Sequence, residues 1–176
     1  MKALWFLVLL SGCCPPPAQP PVVAICYELY CSPKGGCTDA IVRAIDAAMK
    51  SVRVQAYQLT SEPIGNALIA ASARGVDVQV LVDRSQETER SRSRAPSLIK
   101  AGLVVKTDSA HALAHNKVIV IDDLIVITGS FNFTTEAEKY AENLLVIRDK
   151  ALAEKYAQNW LEHFGHAREY KKKRSY

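Results

Sequence analysis

"HNKVIVIDDLIVITGSFN", residues 115–132, holds two apolar runs, 115–121 and 124–128, around Asp122-Asp123. Acidic turn residues between two such runs predict a β-hairpin and not a helical crossover. On a strand, residues i and i+2 share a face, so His115 and Lys117 project together while Asn116 and Val118 point the other way. Their neighbours 118–121 are apolar, and a lysine buried among them needs an anion to offset its desolvation. Lys117 supplies fixed positive charge; His115 supplies a nucleophile, or a proton donor and acceptor near neutral pH. Past the hairpin, Gly129 lets the backbone come close to a ligand, and the Ser130 hydroxyl and Asn132 amide add uncharged donors. Thr135 and Glu138 have capping-box spacing, which predicts a helix N-terminus, itself favourable to anions, beside the same spot. All of these features converge on phosphate.

Outward from the hairpin, strand and helix patterns alternate, the signature of an α/β sheet packed between helices. Strands are expected at 22–27, 52–59, 76–83, 103–107 and 142–149. A helix over 38–50 carries Ile41, Val42, Ile45 and Met49 on one stripe, with Thr38 as its N-cap. A second helix over 62–75 has Pro63 in its first turn and Gly75 at its end. Residues 86–102 read as a polar helix or loop. A closing amphipathic helix over 151–164 aligns Leu152, Tyr156, Trp160 and Phe164.

The 176-residue chain, 49% hydrophobic and 23% charged, has the size and composition of one globular domain with a real core. Residues 1–21 read as targeting and spacer: Lys2, an apolar run over 3–10, then Ser11-Gly12-Cys13 and a Pro-rich stretch over 15–21. That run is too short to span a bilayer as a helix. Residues 10–13 resemble a bacterial lipobox, which implies acylation at Cys13; ordinary signal cleavage is the alternative. Either way the domain over 22–166 is expected outside the cytoplasm, in the bacterial periplasm, where disulfides form. Cys26, Cys31 and Cys37 then remain, with Cys14 as a possible fourth; Cys31 and Cys37 flank a turn-rich loop, and a single staple or inert thiols is expected. Residues 167–176 form a basic tail, and Arg84, Arg90, Arg92 and Arg94 form a second basic cluster, so that a net charge of +4 is locally concentrated. His111, His163 and His166 are expected to be exposed and without chemistry. No metal-ligand cluster and no cofactor is expected.

His115-x-Lys117-x4-Asp122-x6-Gly129-Ser130-x-Asn132 resembles the HKD motif of the phospholipase D superfamily. Residues 22–165 are similar to its small secreted bacterial endonucleases, through "CTDAIVRAIDAA", "VQAYQLTSEPI", "GVDVQVLVD" and "AENLLVI". The resemblance implies a mixed sheet sandwiched between helices. It also implies a two-step reaction through a phosphohistidine, carried out by two facing HKD motifs. One motif per chain implies a homodimer in which two copies of His115 meet across a two-fold axis. Lys117 and Asn132 would hold the non-bridging oxygens, with Ser130 in support. Glu142 resembles the family carboxylate that orients the histidine through its second ring nitrogen. Asp122, the motif's acid, reads as structural, ordering the hairpin or offsetting the lysine charge.

The motif fixes the reaction class and leaves the substrate open. The leading expectation is a metal-independent, non-specific nuclease acting on DNA and, by the same chemistry, RNA. A phospholipase acting on a membrane lipid such as cardiolipin is the alternative, favoured by a lipid anchor and disfavoured by the lack of a flanking apolar loop. A noncatalytic nucleic-acid-binding module would lack the histidine or lysine, and both are present.

Overall fold

The structure, a computed structural model, describes residues 25–171. The signal, Cys13, Cys14, the Pro-rich spacer and the last five residues of the basic tail lie outside the described residues. Along the chain come β1 (Cys26–Ser32), α1 (Cys37–Asp46), β2 (Ser51–Ala56), α2 (Glu62–Ala73), β3 (Asp77–Asp83) and α3 (Ala95–Lys100). They are followed by β4 (Val104–Asp108), β5 (Lys117–Ile121), β6 (Ile125–Gly129), β7 (Glu142–Arg148), α4 (Lys150–His166) and β8 (Arg168–Glu169). The strands form one sheet in the order β1-β7-β6-β5-β2-β3-β4-β8. The helical crossovers of the first half make β2, β3 and β4 parallel, and all the remaining pairs are antiparallel, β5 and β6 being joined by a tight hairpin.

Strand periodicity divides β5 between two cores. Ile119 and Ile121 pack with Ile41, Ile45 and Leu68 of α1 and α2, while Val118 and Val120 pack with Ala153 of α4. The sheet is thus covered on both faces, which is why β5 is apolar at every position after its lysine. Trp160 of α4 is buried, and its indole N–H donates to the Val54 carbonyl at 3.0 Å, so the ring packs without orphaning its polar edge. The turn between β5 and β6 has positive φ at both Asp122 (54°) and Asp123 (53°), and Leu124 N–H closes it on the Ile121 carbonyl at 3.0 Å. These are the angles of a type I′ hairpin, whose twist matches that of the strands.

Several local expectations are corrected. The first strand runs Cys26–Ser32, five residues past its expected end at 27, and all seven of its residues pair with β7; residues 22–24 of the expected strand lie outside the described residues. Helix α1 begins after Gly36 in the left-handed conformation (φ 74°), and Thr38 does not cap it. The Thr38 N–H donates instead to Glu138 Oε1 at 2.8 Å. That bond uses the carboxylate expected to close a capping box on Thr135, and residues Glu136–Lys139 form a single 3₁₀ turn in place of the expected helix. Residues 84–91 make two more 3₁₀ turns before the short α3.

The chain beyond 166 is not wholly a solvated tail. β8 pairs with β4, Arg168 contacts both carboxylate oxygens of the fully buried Glu87 at 2.6 Å, and Tyr170 donates to the Gln86 carbonyl at 2.9 Å. Residues 168–171 therefore close the sheet. Cys26, Cys31 and Cys37 are free thiols; burial, with the nearby Glu138 carboxylate, pushes the Cys37 thiol up to about 11, which makes it inert at neutral pH. No helix among the described residues is long and apolar enough to cross a membrane.

Candidate active site

The sheet order brings the C-terminal ends of β2 and β6 beside the N-terminal ends of β5 and β7. His115 and Asn116 approach β5 at this edge, and the Asn116 carbonyl accepts the Tyr57 N–H at 2.7 Å, fixing the entry of the strand. The His115 ring is exposed and sits 4.6 Å from the Tyr57 ring. Lys117 is buried, and its Nζ lies 2.9 Å from His115 Nδ1, 3.1 Å from Nε2 and 2.8 Å from the His115 carbonyl. An ammonium has no acceptor, so the imidazole can meet it only with a nitrogen lone pair, the electrons a nucleophile needs. Burial depresses the Lys117 pKa, and the negative charge of Glu142 partly opposes that depression. A desolvated cation of this kind gains from an anion arriving within reach.

Gly129 ends β6 with no room for a side chain: a Cβ there would stand 2.2 Å from the Asn143 carbonyl oxygen. The close approach places Ser130 against β7, where Ser130 Oγ accepts the Asn143 N–H at 3.0 Å. Ser130 thus holds the exit of β6 in place. Asn132 is half-buried, with its Oδ1, an acceptor, enclosed without a hydrogen-bond partner among the described residues; its amide NH₂ is the group that can donate to an anion. His115, Lys117, Ser130, Asn132 and Glu142 all line one cavity of about 590 Å³.

Asp122 lies at the other end of β5. Its carboxylate accepts N–H groups from Met49 (2.9 Å), Lys50 (2.7 Å) and Ser51 (2.9 Å), tying the hairpin to the start of β2. Desolvation alone would raise its pKa, but those three bonds outweigh it and hold the carboxyl below the usual range. Its place is structural. Glu142 makes no hydrogen bond to His115 within the chain; it shares the cavity and acts on the charge of Lys117. The helix N-terminus expected beside Asn132 is replaced by the 3₁₀ turn.

Tyr57, Tyr156, Asn159 and Asn143 were not legible as site residues. Tyr57 follows directly on Ala56, which pairs with Lys117, so only strand register locates it. Tyr156 and Asn159 reach the cavity from α4. The arginine cluster divides: Arg84 donates to the Ala112 carbonyl and Arg94 to Asn66, while Arg92 lines a second cavity of about 310 Å³ that meets the first at Asn132. His111, His163 and His166, expected as separate exposed residues, instead converge with the buried Asp108 away from this cavity.

A paired imidazole and ammonium, with an amide and a hydroxyl at the end of a mixed sheet, define a phosphodiesterase site of the HKD type. The family model described as "Cardiolipin synthase, PLD-like domain" matches residues 41–164. A protein named Phospholipase D from Rickettsia conorii is 46% identical over 140 residues, covering 79% of this chain and 68% of that one. The mouse protein named mitochondrial cardiolipin hydrolase is 32% identical over 125 residues, covering 70% of this chain and 54% of that one. Among solved structures, the phospholipase D family member Nuc from Salmonella typhimurium superposes with a TM-score of 0.78 at 35% identity, covering 84% of this chain and 99% of that one. NucT from Helicobacter pylori shares the fold, with a TM-score of 0.75 at 22% identity over 83% of this chain and 99% of that one. The chain belongs to the phospholipase D superfamily, and it is a phosphodiesterase.

Proposed function

We propose that the chain is a non-specific endonuclease that hydrolyses nucleic-acid phosphodiester bonds through a phosphohistidine, without a metal in the chemistry, and that it works as a homodimer. One observation carries this reading: Asn132 lines both the cavity at Lys117 and the second, more polar cavity lined by Gln58, Thr60, Ser91 and Arg92, so polar and cationic surface lies next to the Lys117 site. A nucleic-acid strand runs on past the scissile phosphate and needs polar and cationic surface beyond it, whereas a diacyl lipid needs apolar surface there.

In the first step a ring nitrogen of His115 attacks phosphorus, the bond to the leaving oxygen breaks, and the second protomer's His115 gives that oxygen its proton. In the second step that partner imidazole takes a proton from water, the water oxygen attacks phosphorus, and the P–N bond breaks. Lys117 and Asn132 stabilise the charge on the non-bridging oxygens, and Glu142 restrains the charged pair from within the cavity. A single HKD histidine per chain supports the dimer, because one imidazole cannot be both nucleophile and general acid in the same step. Residues 1–13 support export to the periplasm, with Cys13 as the acylation site.

A phospholipid substrate is the second reading. Leu113, two residues before His115, is half exposed, Tyr140 lines the second cavity with its ring exposed, and relatives carry the names phospholipase D and cardiolipin hydrolase. Assays of the purified protein on DNA, RNA and cardiolipin vesicles, with and without EDTA, beside His115→Ala, decide between them. Cleavage of nucleic acid in EDTA that the variant loses supports the nuclease. Cleavage of cardiolipin alone replaces it with the lipase, and undiminished nucleic-acid cleavage by the variant overturns the mechanism.

A further inference from the structure

Asp108 ends β4, His111 lies in the loop that follows, and His163 and His166 lie one turn apart near the end of α4. Their four side chains meet. Each offers one ligand atom, and these atoms all lie within 4.8 Å of one another. Asp108 Oδ2 is 2.9 Å from His111 Nδ1, 3.1 Å from His163 Nδ1 and 3.6 Å from His166 Nε2. The His111 and His163 rings stack at 4.7 Å, and His166 leans against both.

We propose that Asp108, His111, His163 and His166 form a structural site for a transition-metal dication, with Zn²⁺ as the best fit. Three imidazole nitrogens and a carboxylate oxygen are a borderline-soft donor set, and four protein ligands close a tetrahedral site with no position left for catalysis. Tetrahedral ligands about 2.0–2.1 Å from zinc stand roughly 3.3 Å apart, within the range of the three oxygen–nitrogen distances here. The carboxylate is oriented in advance: Asp108 Oδ1 accepts the N–H groups of Ala110 (3.0 Å) and His111 (3.3 Å), which turns Oδ2 toward the rings. Metal sites depend on supporting hydrogen bonds of this kind. Asp108 is fully buried, so the cation would sit on an anchored charge, at the negative end of α4.

The alternative to a metal is weak on chemical grounds. Without one, three ring N–H groups compete for the lone pairs of a single carboxylate oxygen, and His166, at 3.6 Å, is left beyond hydrogen-bond reach. A cation takes all four lone pairs at once. Its structural effect follows from connectivity. The site ties the C-terminal end of α4 to the loop that leads, four residues later, to His115. The same loop is held from the other side by Ala114 N–H on Asp83 Oδ2 at 2.8 Å.

The test uses the full-length protein stripped of metal by chelator and titrated with Co²⁺ and with Zn²⁺. One Co²⁺ per chain with visible absorption of tetrahedral intensity is expected. A Zn²⁺ excess of about 100-fold over Kd should raise Tm by roughly 5–10 °C. His163→Ala/His166→Ala should lose both responses, and His115→Ala should keep them. His111→Gln, in the exposed loop, serves as a second variant that folds regardless, and it too should weaken Co²⁺ binding. Absence of Co²⁺ absorption and of a Tm shift in the wild type overturns the site. So does binding that survives in His111→Gln and in the double variant, or that disappears in His115→Ala.

Discussion

Lys117 Nζ lies within 3.1 Å of both ring nitrogens of His115, and Lys117 is buried while His115 is exposed. The lysine is an interior charge facing a cavity, so its chemistry and its stability contribution separate. Lys117→Met keeps the shape of the stem and removes the cation. Its kcat should fall by about 10²-fold or more, the typical loss for one such donor. Its Tm should stay level or rise, because a desolvated charge is replaced by an apolar group. Steady-state kinetics and a thermal melt on the same preparation check both halves.

The opposite separation holds at Asp122. Its carboxylate binds three backbone N–H groups at the far end of β5. Asp122→Ala should cost ~1–3 kcal/mol, or roughly 3–10 °C in Tm, while kcat measured well below Tm stays near the wild-type value. Asp122→Asn, which tolerates positive φ and keeps an acceptor, should recover part of the loss.

Gly129→Ala should damage both properties. The new methyl meets the Asn143 backbone and not a flexible side chain, so β6 and β7 must part where Ser130 and Asn132 leave the sheet. A cost of ~1–3 kcal/mol is expected, and the displaced Asn132 should lower kcat about tenfold or more. The melt and the rate should move together.

Acid should weaken the fold through Glu87. Burial alone would raise its pKa, but Arg168, the Lys171 N–H and the Thr107 hydroxyl outweigh that and hold it below the usual value. A depressed folded pKa contributes stability above the unfolded pKa of about 4.3, and that contribution is lost as pH falls through the folded value. Urea midpoints should therefore drop below about pH 5, and Glu87→Gln should flatten that slope. Ending the chain at residue 166 removes β8 and Arg168 together. It should cost ~1–3 kcal/mol, less than for a fully enclosed pair because Arg168 keeps contact with solvent.

Local rules made part of this molecule readable. The pairing of His115 with Lys117 follows from the two-residue period of a strand, and the hairpin follows from two aspartates that tolerate positive φ between apolar runs. The mixed sheet followed from the alternation of patterns and its change of rhythm in the last third. What escaped depends on distant partners. Glu138 was recruited by the Thr38 N–H, 100 positions away, so a sound capping pattern produced no helix. β8 is two residues long and exists because Arg168 reaches Glu87 across the sheet. The histidine cluster joins a strand end to a helix end; each segment carries a pair of ligand-type residues spaced i, i+3, but nothing local brings the two pairs together.

The proposed two-chain centre is tested most directly by co-refolding wild type with His115→Ala in varied proportion and measuring DNA cleavage. If each centre needs one His115 from each chain, mixed dimers are dead and activity follows the square of the wild-type fraction, about one quarter of full activity in an equal mixture. A linear fall, to about one half in the same mixture, would mean that each chain works alone and would contradict the shared centre.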